Sequence, residues 1–210
     1  MLQNRVDPKG DLIRTPARGS WTGNRGVIHD GHRNIVRPFK RKAWLICLLE
    51  FKGRQRQVMT PNRWTELFFL DEATAFSAGH RPCAECRRQA FNRFKHCWIS
   101  GNPEFGFTDK TPIWKIDDVL HKERINRSAK KVTYTGSVDH LPAGVFVLYR
   151  GEPYLFAGGL FLRWTPEGYD DGVAVSGVNG VEILTPRSVV KAFRAGYKPQ
   201  MAVTSQSVPR

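Results

Sequence analysis

The sequence predicts an α+β protein in two parts. An N-terminal region of β-hairpins and short helices carries a zinc-knuckle cysteine pair, and a β-rich C-terminal region follows and ends in a helix. Three observations predict this. Helix start and stop signals recur in "LDEATAFSAG" and "LTPRSVVKAFRAG", and strand-like runs crowd together after Val145. Strands and helices also do not alternate as βαβ units would. At 210 residues the chain can build a sizeable core, and 40% hydrophobic residues plus 19 glycines argue against disorder throughout.

Residues 1–20 are polar and punctuated by Pro8, Gly10, Pro16 and Gly19, which predicts an irregular arm. A basic, zinc-binding N-terminal domain is then expected over 21–110 and a β-rich C-terminal domain over 111–210. "RGVIHDGHRNIV" reads as a hairpin turning at Asp30-Gly31, a strong two-residue turn signal. "AWLICLLEF" reads as a buried strand and "RQVMT" as its return. "LFFLDEATAFSAG" gives a strand and a helix capped by Asp71 and stopped at Gly79. A second helix is expected from about Glu85 to Trp98, where Phe91, Phe94 and Trp98 recur at helical spacing. The Gly- and Pro-rich stretch 99–112 supplies the domain boundary, and "IWKIDDVLHKERINRSAKK" is expected to be helical. "VFVLY", "YLFAG", "LFLRW" and "VEIL" are expected strands. Thr185 and Pro186 then open a last helix that stops at Gly196.

The charge balance points to a polyanionic partner: 33 Lys+Arg against 19 Asp+Glu give a net charge of +14. DNA is the leading expectation, with RNA as an alternative. A membrane is not expected, because there is neither a long apolar run nor a long basic amphipathic helix. No apolar signal segment is visible at the N-terminus, so the expected location is cytoplasmic. Arg41, Lys42, Arg54, Arg56, Arg81, Arg87, Arg88 and Arg93 are the candidate phosphate contacts. On this reading, reversing Arg87 and Arg88 should weaken binding and leave the fold intact.

In "SAGHRPCAECRR" the thiols of Cys83 and Cys86 have the spacing of a metal knuckle, and one zinc ion is the expected cofactor. The alternative is a metal-free turn whose thiols cap a helix. Cys97 lies too far along the following helix to share an ion, and Cys47 inside "WLICLL" reads as a buried structural thiol. His29 and His32 would be opposed across a two-residue turn, about 5 Å apart at Cβ, and can complete a four-ligand set. They can equally be polar residues beside a turn. His80 reads as a packing residue, because Tyr197 occupies its place in the internal echo "AFSAGHRP"/"AFRAGYKP".

"FLDEATAFSAGHRPCAECRR" resembles one half of the zinc-binding domain of the Ada-type adaptive-response DNA repair proteins. The resemblance implies zinc on Cys83 and Cys86, DNA phosphate against the neighbouring arginines, and a role in DNA repair. The family's first cysteine pair would lie upstream, where this chain reads "FKGRQRQVMT". The family's methyl-transfer chemistry is therefore not implied. The whole chain also resembles an uncharacterised bacterial family sharing the stretches seen here as "GNRGVIHD", "ELFFLDEATAFSAGHRPCAECRR" and "LTP" followed by "AGYKP", and that resemblance implies no mechanism. Together these readings predict a zinc-stabilised, phosphate-driven DNA-binding protein. A metal-dependent nuclease or other DNA-processing enzyme is the alternative, and an RNA-binding protein the second.

Overall fold

Two six-stranded sheets and four α-helices carry the described residues, which in this computed structural model are all but 54–56, 176–177, 179 and 203–210. The first sheet is built from β1 (Arg5–Val6), β2 (Leu12–Ile13), β3 (Trp21–Asn24), β4 (Leu45–Cys47), β5 (Leu67–Phe69) and β6 (Arg81–Pro82). Its spatial order is β2-β1-β5-β3-β4-β6. Helix α1 (Glu72–Ser77) follows β5, and α2 (Arg88–Gly101) and α3 (Ile113–Arg124) follow β6. The second sheet takes β7 (Tyr134–Gly136), β8 (Phe146–Tyr149), β9 (Glu152–Ala157), β10 (Leu160–Thr165), β11 (Gly168–Ala174) and β12 (Val181–Ile183), in the order β11-β10-β9-β8-β12-β7. Helix α4 (Arg187–Arg194) comes last. The chain is α+β, as its sequence predicts. None of its described helices is long and apolar enough to cross a membrane.

Local chemistry explains the hairpins of the second sheet. β8 turns into β9 through Arg150 and Gly151, and β9 into β10 through Gly158 and Gly159. All four have positive φ, the conformation that matches the twist of a tight hairpin. The stop glycines behave as expected: Gly79 sits at φ +87 and Gly196 at φ +105, each just past a helix. Thr185 does not cap α4. Its hydroxyl accepts instead from the backbone N–H of Phe146 at 2.9 Å, so the residue is used to join β12 to β8.

Asp71 is the N-cap of α1 and does more than cap. One carboxylate oxygen accepts from Thr74 N–H at 2.8 Å, and the other accepts from Tyr169 O–H at 2.6 Å and Ala202 N–H at 2.8 Å. Burial pushes its carboxyl up from the usual range, against the pull of these donors. Asp71→Ala is expected to cost about 3 kcal/mol, the sum of a lost cap and stranded buried donors. A urea titration reading the shift in midpoint at constant m checks it.

Three expectations are corrected by packing. Residues 1–20 are not an irregular arm, because β1 and β2 belong to the first sheet and β1 pairs parallel to β5. Among the described residues no core boundary falls near residue 110: one apolar cluster runs from Val6, Ile28 and Phe69 through Phe94 and Ile116 to Val147, Val189 and Phe193. Among the described residues "RQVMT" is not the return of β4, whose neighbours there are β3 and β6; Val58 and Met59 lie in a turn, and Arg56 lies outside the described residues.

Candidate metal centre

Strand pairing brings three cysteines together. β4 lies parallel to β6 with Leu45 opposite Arg81 and Ile46 opposite Pro82. Continuing that register one residue further places Cys47 beside Cys83, and Cys83 N–H donates to the Ile46 carbonyl at 2.9 Å. The chain then turns. Arg87 N–H donates back to the Cys83 carbonyl at 3.1 Å, which returns Cys86 toward Cys83. The Sγ atoms of Cys47, Cys83 and Cys86 all lie within 4.8 Å of one another. Thiolates around one tetrahedral zinc, with Zn–S near 2.3 Å, stand roughly 3.8 Å apart, so little movement is needed to close on an ion.

The electrostatics suit a cation. The hydrogen bond from Cys47, and then that from Cys86, favour the thiolate at Cys83, and the backbone N–H groups of Cys86 and Glu85 add to this against its burial. The Cys47 thiol is pushed far up, first by its hydrogen bond to Cys83 and then by that to Cys86 and by burial. Three crowded sulfurs cannot all ionise unaided, and a divalent cation removes that obstacle. The triad can therefore hold a metal ion.

All three cysteines line a cleft of about 600 Å³, which Thr22, Asn24, Lys40, Arg41, Arg63 and Glu66 also line. Among the described residues, no His, Asp or Glu joins the three sulfurs within the same reach. The arrangement is thus a three-sulfur group on the wall of a cleft. Glu66 is buried, and its Oε2 accepts from Met59 N–H at 2.7 Å.

His29 and His32 are not opposed to each other. The only pairing in that segment is a bridge of His29 with Ile35, because the Asp30 carboxylate accepts from the N–H groups of both His32 and Asn34 and opens a five-residue loop. His29 is buried against Thr65, with Nδ1 2.6 Å from Oγ1 and Nε2 3.2 Å from the Thr60 carbonyl, while His32 is exposed. Neither belongs to the cysteine cluster. Cys47 belongs to it instead, and Cys97 packs against the core as expected. His80 is fully buried between Trp44 and Phe69 and is a packing residue.

The expected phosphate contacts divide. Arg81 is buried and grips both carboxylate oxygens of Asp117, at 2.7 Å each. The Arg87 side chain is only 7% exposed, ion-paired with Glu72 at 2.7 Å and stacked on Trp21. Neither presents its guanidinium to solvent, which corrects their assignment to a surface. Arg41, Lys42, Arg88 and Arg93 are exposed, Lys42 pairing with Asp118 at 2.7 Å. Arg54 and Arg56 lie outside the described residues.

Comparison of the chain with protein-family models, with curated proteins and with solved structures finds no match in any of the three.

Proposed function

We propose that this chain is a zinc-bearing nucleic-acid-binding protein, with DNA the leading partner and the cleft beside the three cysteines its contact surface. One observation carries the reading: Cys47, Cys83 and Cys86 form one wall of a cleft that exposed Lys40, Arg41 and Arg63 also line. Three thiolates select a soft, tetrahedral ion, and zinc is the ion this donor set suits best. The ion would tie β4 to the turn before α2 and so fix the cleft wall. The lysine and the two arginines would take phosphates, and the net charge of +14 supports a polyanionic partner.

The salt dependence of binding tests this reading. Each phosphate contact is expected to add about −0.9 to the slope of log K against log salt on duplex DNA. The double variant Arg41→Ala/Arg63→Ala, at two exposed positions, is expected to weaken binding to all sequences and to reduce the slope by about 1 per residue. Binding that ignores salt, or full affinity in the double variant, contradicts the cleft as the contact surface. Tighter binding of RNA than of DNA would move the partner to RNA.

A second reading, a metal-dependent DNA-processing enzyme, is favoured by the ligand count. Zinc sites that act in catalysis keep a coordination position free of protein ligands, and zinc there lowers the pKa of a bound water to about 7. In this reading Glu66 is the carboxylate placed to exchange a proton within the cleft. Incubation of plasmid, single-stranded DNA and RNA with the zinc-loaded protein separates the readings: a product lost in Glu66→Gln supports the enzyme, and unaltered nucleic acid supports binding alone.

A further inference from the structure

A second cavity, of about 340 Å³, shares no lining residue with the cysteine cleft. Thr22, Asn24, Leu45 and Cys47 line the cleft, whereas Arg25 and Trp44, each just outside its strand beyond the Asn24–Leu45 pair, line the second cavity. Its charged lining is Lys9, Arg25, Arg37, Arg124 and Lys131 against a single carboxylate, Asp11.

Two of these cations are in the interior. Arg25 is 3% exposed and Arg124 is 1% exposed, and the guanidinium carbon of each lies 3.9 Å from the centroid of the Trp44 ring. Their hydrogen bonds go to neutral acceptors. Arg25 donates to the Gly10 carbonyl at 2.9 Å and to His80 Nε2 at 3.3 Å. Arg124 donates to the carbonyls of Gly79 at 2.9 Å and Lys42 at 2.6 Å, with His121 Nδ1 2.9 Å from the same Nη2, and its Nε is buried without a partner. Lys131 Nζ donates to the Ser77 carbonyl.

Among the described residues none of these three cations forms an ion pair with a carboxylate. The contrast lies within the same molecule, since buried Arg81 and the little-exposed side chain of Arg87 each have one, Asp117 and Glu72. Gathering unpaired cations in the interior is costly unless an anion completes the group. Burial pushes Arg25 down to about 9, partly offset by Asp7 and Asp11. It also pushes Lys131 down to about 7, a shift that Asp7 and Asp11 oppose and that the neighbouring Arg25 and Arg124 deepen.

We infer that this cavity is a binding site for a phosphate-type oxyanion, supplied either as free phosphate or as the terminal phosphate of a polynucleotide. Arginine forks and a lysine suit a tetrahedral dianion better than a monovalent carboxylate. Exposed Arg37 and half-buried Lys9 stand at the same cavity and would meet the rest of a larger ligand. The site does not depend on the metal centre, whose cysteines line the other cavity.

The test uses the full chain. Melting is followed in sodium phosphate against sodium chloride of equal ionic strength, and calorimetry is run with phosphate and with 5′-phosphorylated and 5′-hydroxyl oligonucleotides of one sequence. Phosphate is expected to raise the melting temperature and to perturb Trp44 fluorescence. Arg37→Gln and Lys131→Gln should each weaken binding about tenfold, a loss of about 1.4 kcal/mol. Arg37 is exposed, so its variant keeps the test alive if Lys131→Gln does not fold. Tight binding of free phosphate identifies a small anion, whereas a preference for the 5′-phosphorylated strand that free phosphate competes away identifies a polynucleotide end. No stabilisation beyond chloride together with no preference for the phosphorylated end overturns the inference, as does unchanged affinity in every variant that folds.

Discussion

At the proposed metal site, replacing Cys47 with serine is expected to abolish metal binding as fully as replacing Cys83 or Cys86, and to lower the melting temperature with it. The reasoning is geometric. Cys47 is one of only three sulfurs within 4.8 Å of one another, and no described His, Asp or Glu stands ready to take its place. Zinc affinities in small structural sites correspond to about 10–16 kcal/mol, so losing one of three thiolates removes several kcal/mol. Because each 1.4 kcal/mol is tenfold, the affinity should fall by about a thousandfold or more. Cys97→Ser and the double variant His29→Ala/His32→Ala should keep the ion. His29→Ala costs some stability of its own, since the ring is buried against Thr65 and the Thr60 carbonyl. Metal content after gel filtration, beside the melting temperature, separates the two effects. Retention of a full equivalent by Cys47→Ser contradicts the three-sulfur site.

Arg87→Glu is expected to destabilise the protein by about 3–5 kcal/mol, and Arg88→Glu to leave its stability nearly unchanged. Although adjacent in sequence, the two face different environments. The Arg87 side chain is 7% exposed and is paired at 2.7 Å with Glu72, itself 4% exposed. Glu72 also accepts from Tyr197 O–H at 2.7 Å and from Gln200 N–H at 2.9 Å, so reversal at 87 buries two like charges beside a hydroxyl and an amide. Arg88 is exposed on the first turn of α2. In a chain of this size each kcal/mol moves the melting temperature by about 2–4 °C, which puts the Arg87→Glu shift near 6–20 °C. Equal melting of the two variants contradicts the buried pair. A loss of the proposed DNA binding in Arg87→Glu would therefore have to be read against its fold, whereas one in Arg88→Glu would report on contact alone.

What was legible in the sequence was local. Asp71 and Gly79 mark the ends of α1 because a cap and a left-handed stop are decided within one turn of chain. The apolar runs of β8, β9, β10 and β12 announce themselves by composition. The cysteine pair Cys83 and Cys86 was visible for the same reason. Cys47 was not, because its place is set by parallel pairing of β4 with β6 across 36 residues of chain, and nothing in "WLICLL" shows the partner strand. The signal available was strand alternation: Ile46 faces the core, so Cys47 faces the other side. The Asp30-Gly31 turn signal misled because the Asp30 side chain takes two backbone N–H groups and holds a wider loop. Arg81 and Arg87 looked like surface charges because their partners, Asp117 and Glu72, lie far away in sequence or carry no mark of burial.

X-ray absorption at the zinc edge of the purified wild-type protein tests the central claim most directly. A metal held by Cys47, Cys83 and Cys86 predicts close to one equivalent of zinc with three sulfur neighbours near 2.3 Å and one lighter atom completing the shell. Fully folded protein that copurifies without metal and does not take up zinc contradicts it. So does a shell of two sulfurs and two imidazole nitrogens.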